Sequence, residues 1–141
     1  MSRTLFPIVS AAAAVPAAQS LPMYRDVAWD FERDCPVFRR GEPVTVTGAE
    51  AVRVWAYNAL KTVRYRHEIW SFDYGCELER LVGQPYAQET KRAEAVRYIQ
   101  EALLASPYVQ GVTVHDLAFD GSVFSATVTV SSIYGEVTTN V

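Results

Sequence analysis

The sequence has few of the residues that metal and redox sites use. Its 141 residues include two cysteines, Cys35 and Cys76, and two histidines, His67 and His115. Neither pair stands at the spacing of metal ligands. The cysteines could form a disulfide, but two free, buried thiols of a reducing compartment fit this usage better. The sequence therefore predicts neither a metal nor a cofactor.

The sequence also lacks the motifs by which many enzymes are identified. No serine or cysteine lies in a G-x-S-x-G motif, and no glycine-rich loop of the phosphate-binding kind is present. A glycoside hydrolase needs two carboxylates, and four lie near one another along the chain: Glu68, Asp73, Glu77 and Glu79. Turn and first-helical-turn positions already give Asp73 and Glu77 structural roles. The pattern indicates a protein that is not an enzyme, with a catalytic carboxylate pair as the alternative.

Excess charge and long apolar runs are missing as well. The formal net charge is −3, with both signs mixed along the chain. Proteins that bind nucleic-acid backbone usually have a basic face, so no nucleic-acid partner is expected. No apolar run approaches the roughly 18 residues of a membrane-spanning helix, so no membrane partner is expected either.

Residues 1–24 partly imitate a secretory signal, with Arg3 followed by a short apolar and alanine-rich run. Pro7 interrupts that run, and the alanines are only weakly hydrophobic. The preferred interpretation is an extended arm, punctuated by prolines, that becomes ordered only on a neighbouring protein. A cleaved signal on a secreted binding module is the alternative.

The most informative stretch is residues 62–83. The alternation of Val63, Tyr65, His67 and Ile69 predicts a strand. Asp73-Tyr74-Gly75 predicts a tight corner with a positive φ at the glycine, and residues 76–82 predict a short helix. We expect the fold of this unit to depend on a set of structural corner residues: Trp55, Thr62, Tyr65, Trp70, Asp73, Tyr74 and Gly75.

Two longer helices are predicted on either side of this unit. The first covers residues 48–61 and begins at a capping box of Thr47 and Glu50. The second covers residues 87–105 and has a predicted buried stripe of Ala93, Val96, Ile99, Ala102 and Leu103.

Four strands are predicted in the remaining sequence, at residues 27–31, 44–46, 108–119 and 123–134. Gly111 predicts a bulge or bend, and Asp120-Gly121 predicts a type I′ hairpin. Residues 135–141 are expected to form a loose tail. The predicted fold class is α+β, with two main helices and a short helix packed on a mostly antiparallel sheet.

An ordered series of motifs extends over most of the chain: WDF at Trp29–Phe31, T-G-x-E-A-V-x-V-W at Thr47–Trp55, T-x-R-Y at Thr62–Tyr65, W-S-F-D-Y-G at Trp70–Gly75, and a closing Y-G at Tyr134-Gly135. In this series the chain resembles the baseplate wedge proteins of contractile phage tails, in the branch found in PBSX-type defective prophages. That branch is related to the sheath-initiator wedge proteins, which are often named lysozyme-like.

The resemblance implies a sheath-initiator-like domain at residues 25–135, preceded by the arm at 1–24 and followed by a tail at 136–141. It implies a structural subunit of a contractile phage tail or tailocin baseplate, present in about six copies around the tube. The subunit would be part of the virion and would assemble in the host cytoplasm. The lysozyme-like name keeps a peptidoglycan-degrading enzyme, using Glu68 or Glu77 with Asp73, as the alternative.

The implied partners are the tail sheath protein and other wedge, hub and tube proteins. The first sheath ring would be templated by strand addition at an exposed sheet edge. Partner contacts are expected on the arm, on the final strand and on the tail: Leu5, Phe6, Val128, Val130, Tyr134 and Val137.

Overall fold

The computed structural model of the chain describes residues 21–66, 73–121 and 123–141. Within these ranges it contains two α-helices, one short 3-10 helix and nine strands, which confirms the α+β class. Of the helices in these ranges, none combines the length and apolar character needed to cross a bilayer. Both cysteines are free thiols, with Cys76 buried and Cys35 half-buried.

Helix α1, Ala49–Lys61, begins at Gly48, but the predicted capping box is wrong. No side chain caps this helix, and Gly48 has a positive φ of 66°. The Gly48 amide instead donates to the Tyr24 carbonyl at 3.0 Å, which joins the helix start to the beginning of the described chain. At the other end the Thr62 hydroxyl donates to the Asn58 carbonyl at 2.7 Å and satisfies a terminal acceptor.

Helix α2, Gln88–Leu104, follows the 3-10 helix Leu78–Leu81. Its buried face consists of Lys91, Ala95, Ile99, Ala102 and Leu103. The predicted stripe is therefore right for its last three members and wrong for Ala93, which is exposed, while Val96 is half-buried. From Ile99 toward the start of the helix, the buried stripe continues through Ala95 and Lys91, at a spacing of four residues, instead of through Val96 and Ala93.

The C-terminal sheet has the order β7-β8-β9, with β7 at Val109–Asp120, β8 at Val123–Ser132 and β9 at Gly135–Asn140. Both pairings are antiparallel. The expectation of a loose tail at residues 135–141 is wrong, because β9 pairs along β8 from Thr127 to Ser132. The irregularity predicted at Gly111 is confirmed by a register shift between Val109 and Gly111. The type of turn after Asp120 stays a prediction, because residue 122 lies outside the described residues.

Residues 25–47 form three separate two-stranded antiparallel sheets instead of joining one sheet with β7–β9. Their strands are β1 Arg25–Val27, β2 Trp29–Asp30, β3 Cys35–Pro36, β4 Phe38–Arg39, β5 Glu42–Pro43 and β6 Thr45–Thr47. β1 pairs with β6, β2 with β3 and β4 with β5. The packing of all helices on a single sheet is thus not confirmed.

The core lies between the two helices and the inner face of the C-terminal sheet. Its largest fully buried side chains are Ile99, Leu103, Val52, Val128 and Val130. This corrects the expectation that Val128 and Val130 contact a partner. Both are 0% exposed, because β8 is the central strand and their side chains point toward the helices.

Candidate functional site

The predicted corner is a close crossing of two backbone segments and does not begin with a strand. Val63 makes one isolated parallel bridge with Cys76, and the chain then turns at Arg64 and Tyr65. Tyr65 has a positive φ of 67°, which is incompatible with the predicted strand. Residues 67–72, and with them His67, Glu68, Ile69 and Trp70, lie outside the described residues.

Gly75 allows the crossing to be this tight. Its φ is 104°, which confirms the predicted positive φ. A Cβ atom there would lie 2.9 Å from the Arg64 Cα atom and 3.0 Å from the Thr62 carbonyl oxygen. Two hydrogen bonds close the crossing, from the Cys76 amide to the Thr62 carbonyl at 2.9 Å and from the Arg64 amide to the Cys76 carbonyl at 3.2 Å. The predicted short helix follows as the 3-10 helix, with Leu78 and Leu81 buried.

The carboxylates considered for catalysis are engaged in ion pairs wherever the structure describes them. Asp73 lies 3.6 Å from Arg64, Glu77 lies 2.8 Å from Arg80, and Glu79 lies 3.2 Å from Arg66. Glu68 is among the residues that are not described. The neighbouring Cys76 thiol is a poor nucleophile. Burial raises its pKa to about 11, and the thiolate is the reactive form of a cysteine.

Three of the predicted corner residues line one cavity. Trp55, Thr62 and Tyr74 contribute to a cavity of about 500 Å³ that also contacts Tyr24 and Asp26. The sequence offered no signal for this arrangement, because the cavity joins residues 24–29 to the corner across α1.

The edges of the C-terminal sheet follow from its hydrogen-bond pattern. Ala126 and Val141 exchange both backbone hydrogen bonds, at 3.2 and 2.9 Å, so the backbone groups of Ala126 point toward β9. Because successive residues of a strand alternate, those of Thr127 and Thr129 point toward β7, where they face His115 and Thr113.

By the same alternation, the backbone groups of Val112 and Val114 point away from β8. In the described part of the chain, no strand pairs with this outer edge of β7. On β9 the alternation makes the Thr138 carbonyl face outward, and the Arg53 side chain donates to it at 3.0 Å. The edge of β9 is thus partly occupied by α1, whereas β7 offers the longer open edge.

The sequence does not predict this edge, because residues 135–141 have the pattern of a loose tail and β8 would then be the last strand. Of the partner contacts predicted there, Val137 is half-buried against the core. The Tyr134 hydroxyl accepts a hydrogen bond from the Tyr24 amide at 3.0 Å, so it serves an internal contact. Leu5 and Phe6 lie outside the described residues. The sequence signal for β9 is weak: Val137, Thr139 and Val141 alternate with the polar residues Glu136, Thr138 and Asn140.

The chain can be assigned to a protein family by comparison with known proteins. Residues 25–135 match the family described as contractile injection system sheath initiator, and the chain belongs to that family. A relative is the phage-like element PBSX protein XkdS of Bacillus subtilis (strain 168), which is 32% identical over 91 residues. The alignment covers 64% of this chain and 64% of the relative's own length. The resemblance inferred from the ordered motifs is thereby confirmed.

Proposed function

We propose that this chain is a structural baseplate subunit of a contractile phage tail or tailocin, and that it templates the first sheath ring by strand addition along β7. The observation that carries the proposal is the outer edge of β7, which has no strand partner among the described residues. An edge strand presents a row of donors and acceptors that an extended segment of another chain can pair with.

β7 suits this role better than β9. It has 12 residues, whereas β9 has 6 and carries the contact from Arg53 to the Thr138 carbonyl. A register shift between His115 and Ala118, with a positive φ of 48° at Asp116, ends the regular part of the β7 edge. An added strand would therefore pair with the segment around Val112 and Val114, before this bulge.

The added strand would belong to the tail sheath protein. Other wedge, hub and tube proteins would contact the remaining surface, with about six copies arranged around the tube in closed symmetry. The arm at residues 1–24, including Leu5 and Phe6, would pack against neighbouring subunits, as would the surface near Val137. The chain would be located in the baseplate of the virion after assembly in the host cytoplasm.

A proline at position 112 tests strand addition. The Val112 amide points away from β8, so Val112→Pro removes an outward donor and keeps the pairing with β8. Gly111 precedes it and accepts the backbone restriction that a proline imposes. We expect Val112→Pro to reduce co-purification with the tail sheath protein at least tenfold, by quantitative pull-down after co-expression.

Val112→Ala is the matched control, because it removes the same side-chain packing and keeps the amide. We expect it to bind sheath protein like the wild type. Hydrogen exchange adds a second measurement, in which the Val112 and Val114 amides exchange faster than the Thr113 amide until sheath protein is added. Wild-type assembly by a folded Val112→Pro variant would exclude the β7 edge.

The proposed role is not enzymatic. Arg80 and Arg64 lie beside Glu77 and Asp73, which supports structural roles for these carboxylates. We expect no clearing of peptidoglycan in zymograms, either by the wild type or by Glu77→Gln and Asp73→Asn variants. Clearing by the wild type that one of these substitutions abolishes would contradict the proposal and favour the lysozyme-like alternative.

A further inference from the structure

The cavity of about 500 Å³ beside α1 combines aromatic walls with one carboxylate. Its lining includes Tyr24, Asp26, Trp29, Trp55 and Tyr74. Protein cavities of about 300–1,000 Å³ commonly hold small ligands. The volume is therefore sufficient for a ligand of that size.

Asp26 is half-buried and forms no ion pair with a described residue, whereas the other half-buried acids, Asp30, Glu77 and Glu94, each pair with an arginine. Asp34 pairs with Lys61 at 3.2 Å and Glu77 pairs with Arg80 at 2.8 Å. The Asp26 carboxylate accepts hydrogen bonds from the Val27 amide, at 2.8 Å, and from the Tyr24 side chain, and both donors are neutral groups. Burial raises its pKa, against the hydrogen bonds from Val27 and Tyr24 that lower it. The site thus holds a carboxylate that has neutral hydrogen-bond donors but no cationic partner among the residues that the structure describes.

The aromatic side chains beside Asp26 are of the kind that bind cations. Ammonium and guanidinium groups are attracted to the faces of aromatic rings, most strongly to tryptophan. Elsewhere in the described chain such contacts do form, with Arg53 over the Phe31 ring at 4.2 Å and Lys61 over the Tyr57 ring at 4.6 Å. Trp29 is fixed in position, since its Nε1 donates to Asp34 at 3.2 Å.

We propose that this cavity binds one cationic side chain, an arginine or a lysine, of a partner protein. Asp26 supplies the opposite charge, and Trp29 and Trp55 supply the aromatic walls. The assignment goes beyond strand addition, because the cavity is formed by β1, β2, α1 and the corner and does not include β7. A negative result for this cavity therefore does not contradict strand addition at β7, and a negative result at β7 does not contradict cation binding here.

The test is a titration of the full chain with Nα-acetyl-arginine amide, observed through the indole N–H resonances of its tryptophans. Nα-acetyl-lysine amide is the second cation, and Nα-acetyl-citrulline amide is the neutral probe of nearly the same shape as arginine. We expect saturable shifts at Trp29 and Trp55 with the arginine or lysine probe, and at least fivefold weaker binding of citrulline. Asp26→Asn should reduce the affinity for the cation to that for citrulline.

Asp30→Asn is the matched control, because Asp30 lies on β2 and its carboxylate accepts from the Glu32 and Arg33 amides without lining the cavity. It should bind the cations like the wild type. Equal affinity for arginine, lysine and citrulline, no saturable shift, or unchanged binding by Asp26→Asn would each overturn the proposal. The Arg3→Ala variant tests whether the chain's own arm fills the cavity. If this variant bound the cations more tightly than the wild type, Arg3 would be the competing occupant, and the proposal of a partner's side chain would be overturned.

Discussion

The C-terminal sheet and the N-terminal strand region are stabilised in different ways. In the sheet, β8 has a partner on each side, and its register with β9 is unbroken from Thr127 to Ser132. Residues 25–47 instead form three two-stranded sheets with strands of 2 or 3 residues. Because such short pairings supply few ladder hydrogen bonds, turns and side-chain contacts must fix this region.

Those contacts converge on Asp34. It has a positive φ of 53°, which aspartate tolerates better than most residues. Its carboxylate accepts from the Tyr57 hydroxyl at 3.0 Å, from Trp29 at 3.2 Å and from Lys61 at 3.2 Å. The sheet depends on buried apolar side chains, whereas the N-terminal region depends on a few polar contacts to α1. The sheet can therefore accept changes on its outer face more easily than the N-terminal region can lose one anchor.

The largest effect on stability is expected at the corner, which belongs to neither region. Its fold depends on the close approach of the backbone at residues 62–64 to the backbone at Gly75. In Gly75→Val, the new Cβ would meet the Arg64 Cα atom at 2.9 Å, and the φ of 104° would be strained as well. Backbone atoms cannot move aside as a flexible side chain can. We expect the free energy of unfolding, measured by urea denaturation, to fall by about 3 kcal/mol or more.

Gly83→Val is the control for strain without contact. Gly83 has a φ of 76°, but a Cβ there would meet nothing within 4 Å. Its cost should be about 1–2 kcal/mol, from the left-handed backbone alone. Equal losses in the two variants would mean that the close approach at Gly75 is not what matters.

The next effect separates the two faces of the sheet. Val128 is 0% exposed, whereas the adjacent Thr129 points to the outer face and contacts the Thr138 hydroxyl at 3.4 Å. Val128→Ala leaves a cavity between the sheet and the helices, and we expect a loss of about 2 kcal/mol. Thr129→Ala should change the free energy of unfolding by no more than about 0.5 kcal/mol. A similar loss from both variants, by thermal or urea unfolding, would contradict a sheet with one core-facing side.

Periodicity predicted the longer elements well, because burial of one face leaves a repeating pattern in the sequence. The first helix was expected at 48–61 and is found at Ala49–Lys61, and the hairpin of β7 and β8 was also expected. β9 escaped prediction because its sequence is mostly polar and starts with Gly135. Its pattern becomes apolar only where Val137 packs on the core.

Features that depend on distant contacts could not be predicted. The capping box at Thr47 failed because the Tyr24 carbonyl, far away in sequence, takes the Gly48 amide. The strand expected at Val63 failed because its bridge partner is Cys76, across the tight crossing at Gly75. The open edge of β7 depends in the same way on where β9 pairs.

The smallest expected effect concerns the anchor of the N-terminal region. Partial burial of the Asp34 carboxylate raises its pKa. The hydrogen bonds from Lys61, Trp29 and Tyr57 lower the pKa by more, so that the net shift is downward. Asp34→Asn keeps a residue that tolerates positive φ and removes the charge. Because half of the carboxylate side chain is exposed and screened by solvent, we expect a loss of only about 0.5–1 kcal/mol at neutral pH.

The pH dependence gives this prediction its sign. A pKa that is lower in the folded state stabilises the fold above the unfolded value of about 3.9, and the contribution is lost as the pH falls through the folded pKa. The stability difference between wild type and Asp34→Asn should thus be constant near neutrality and shrink below about pH 4. Asp116→Asn is the control in the sheet, since Asp116 also has a positive φ, of 48°, and is exposed. If Asp116→Asn changed stability as much as Asp34→Asn, the N-terminal region would not depend on its polar anchor more than the sheet does.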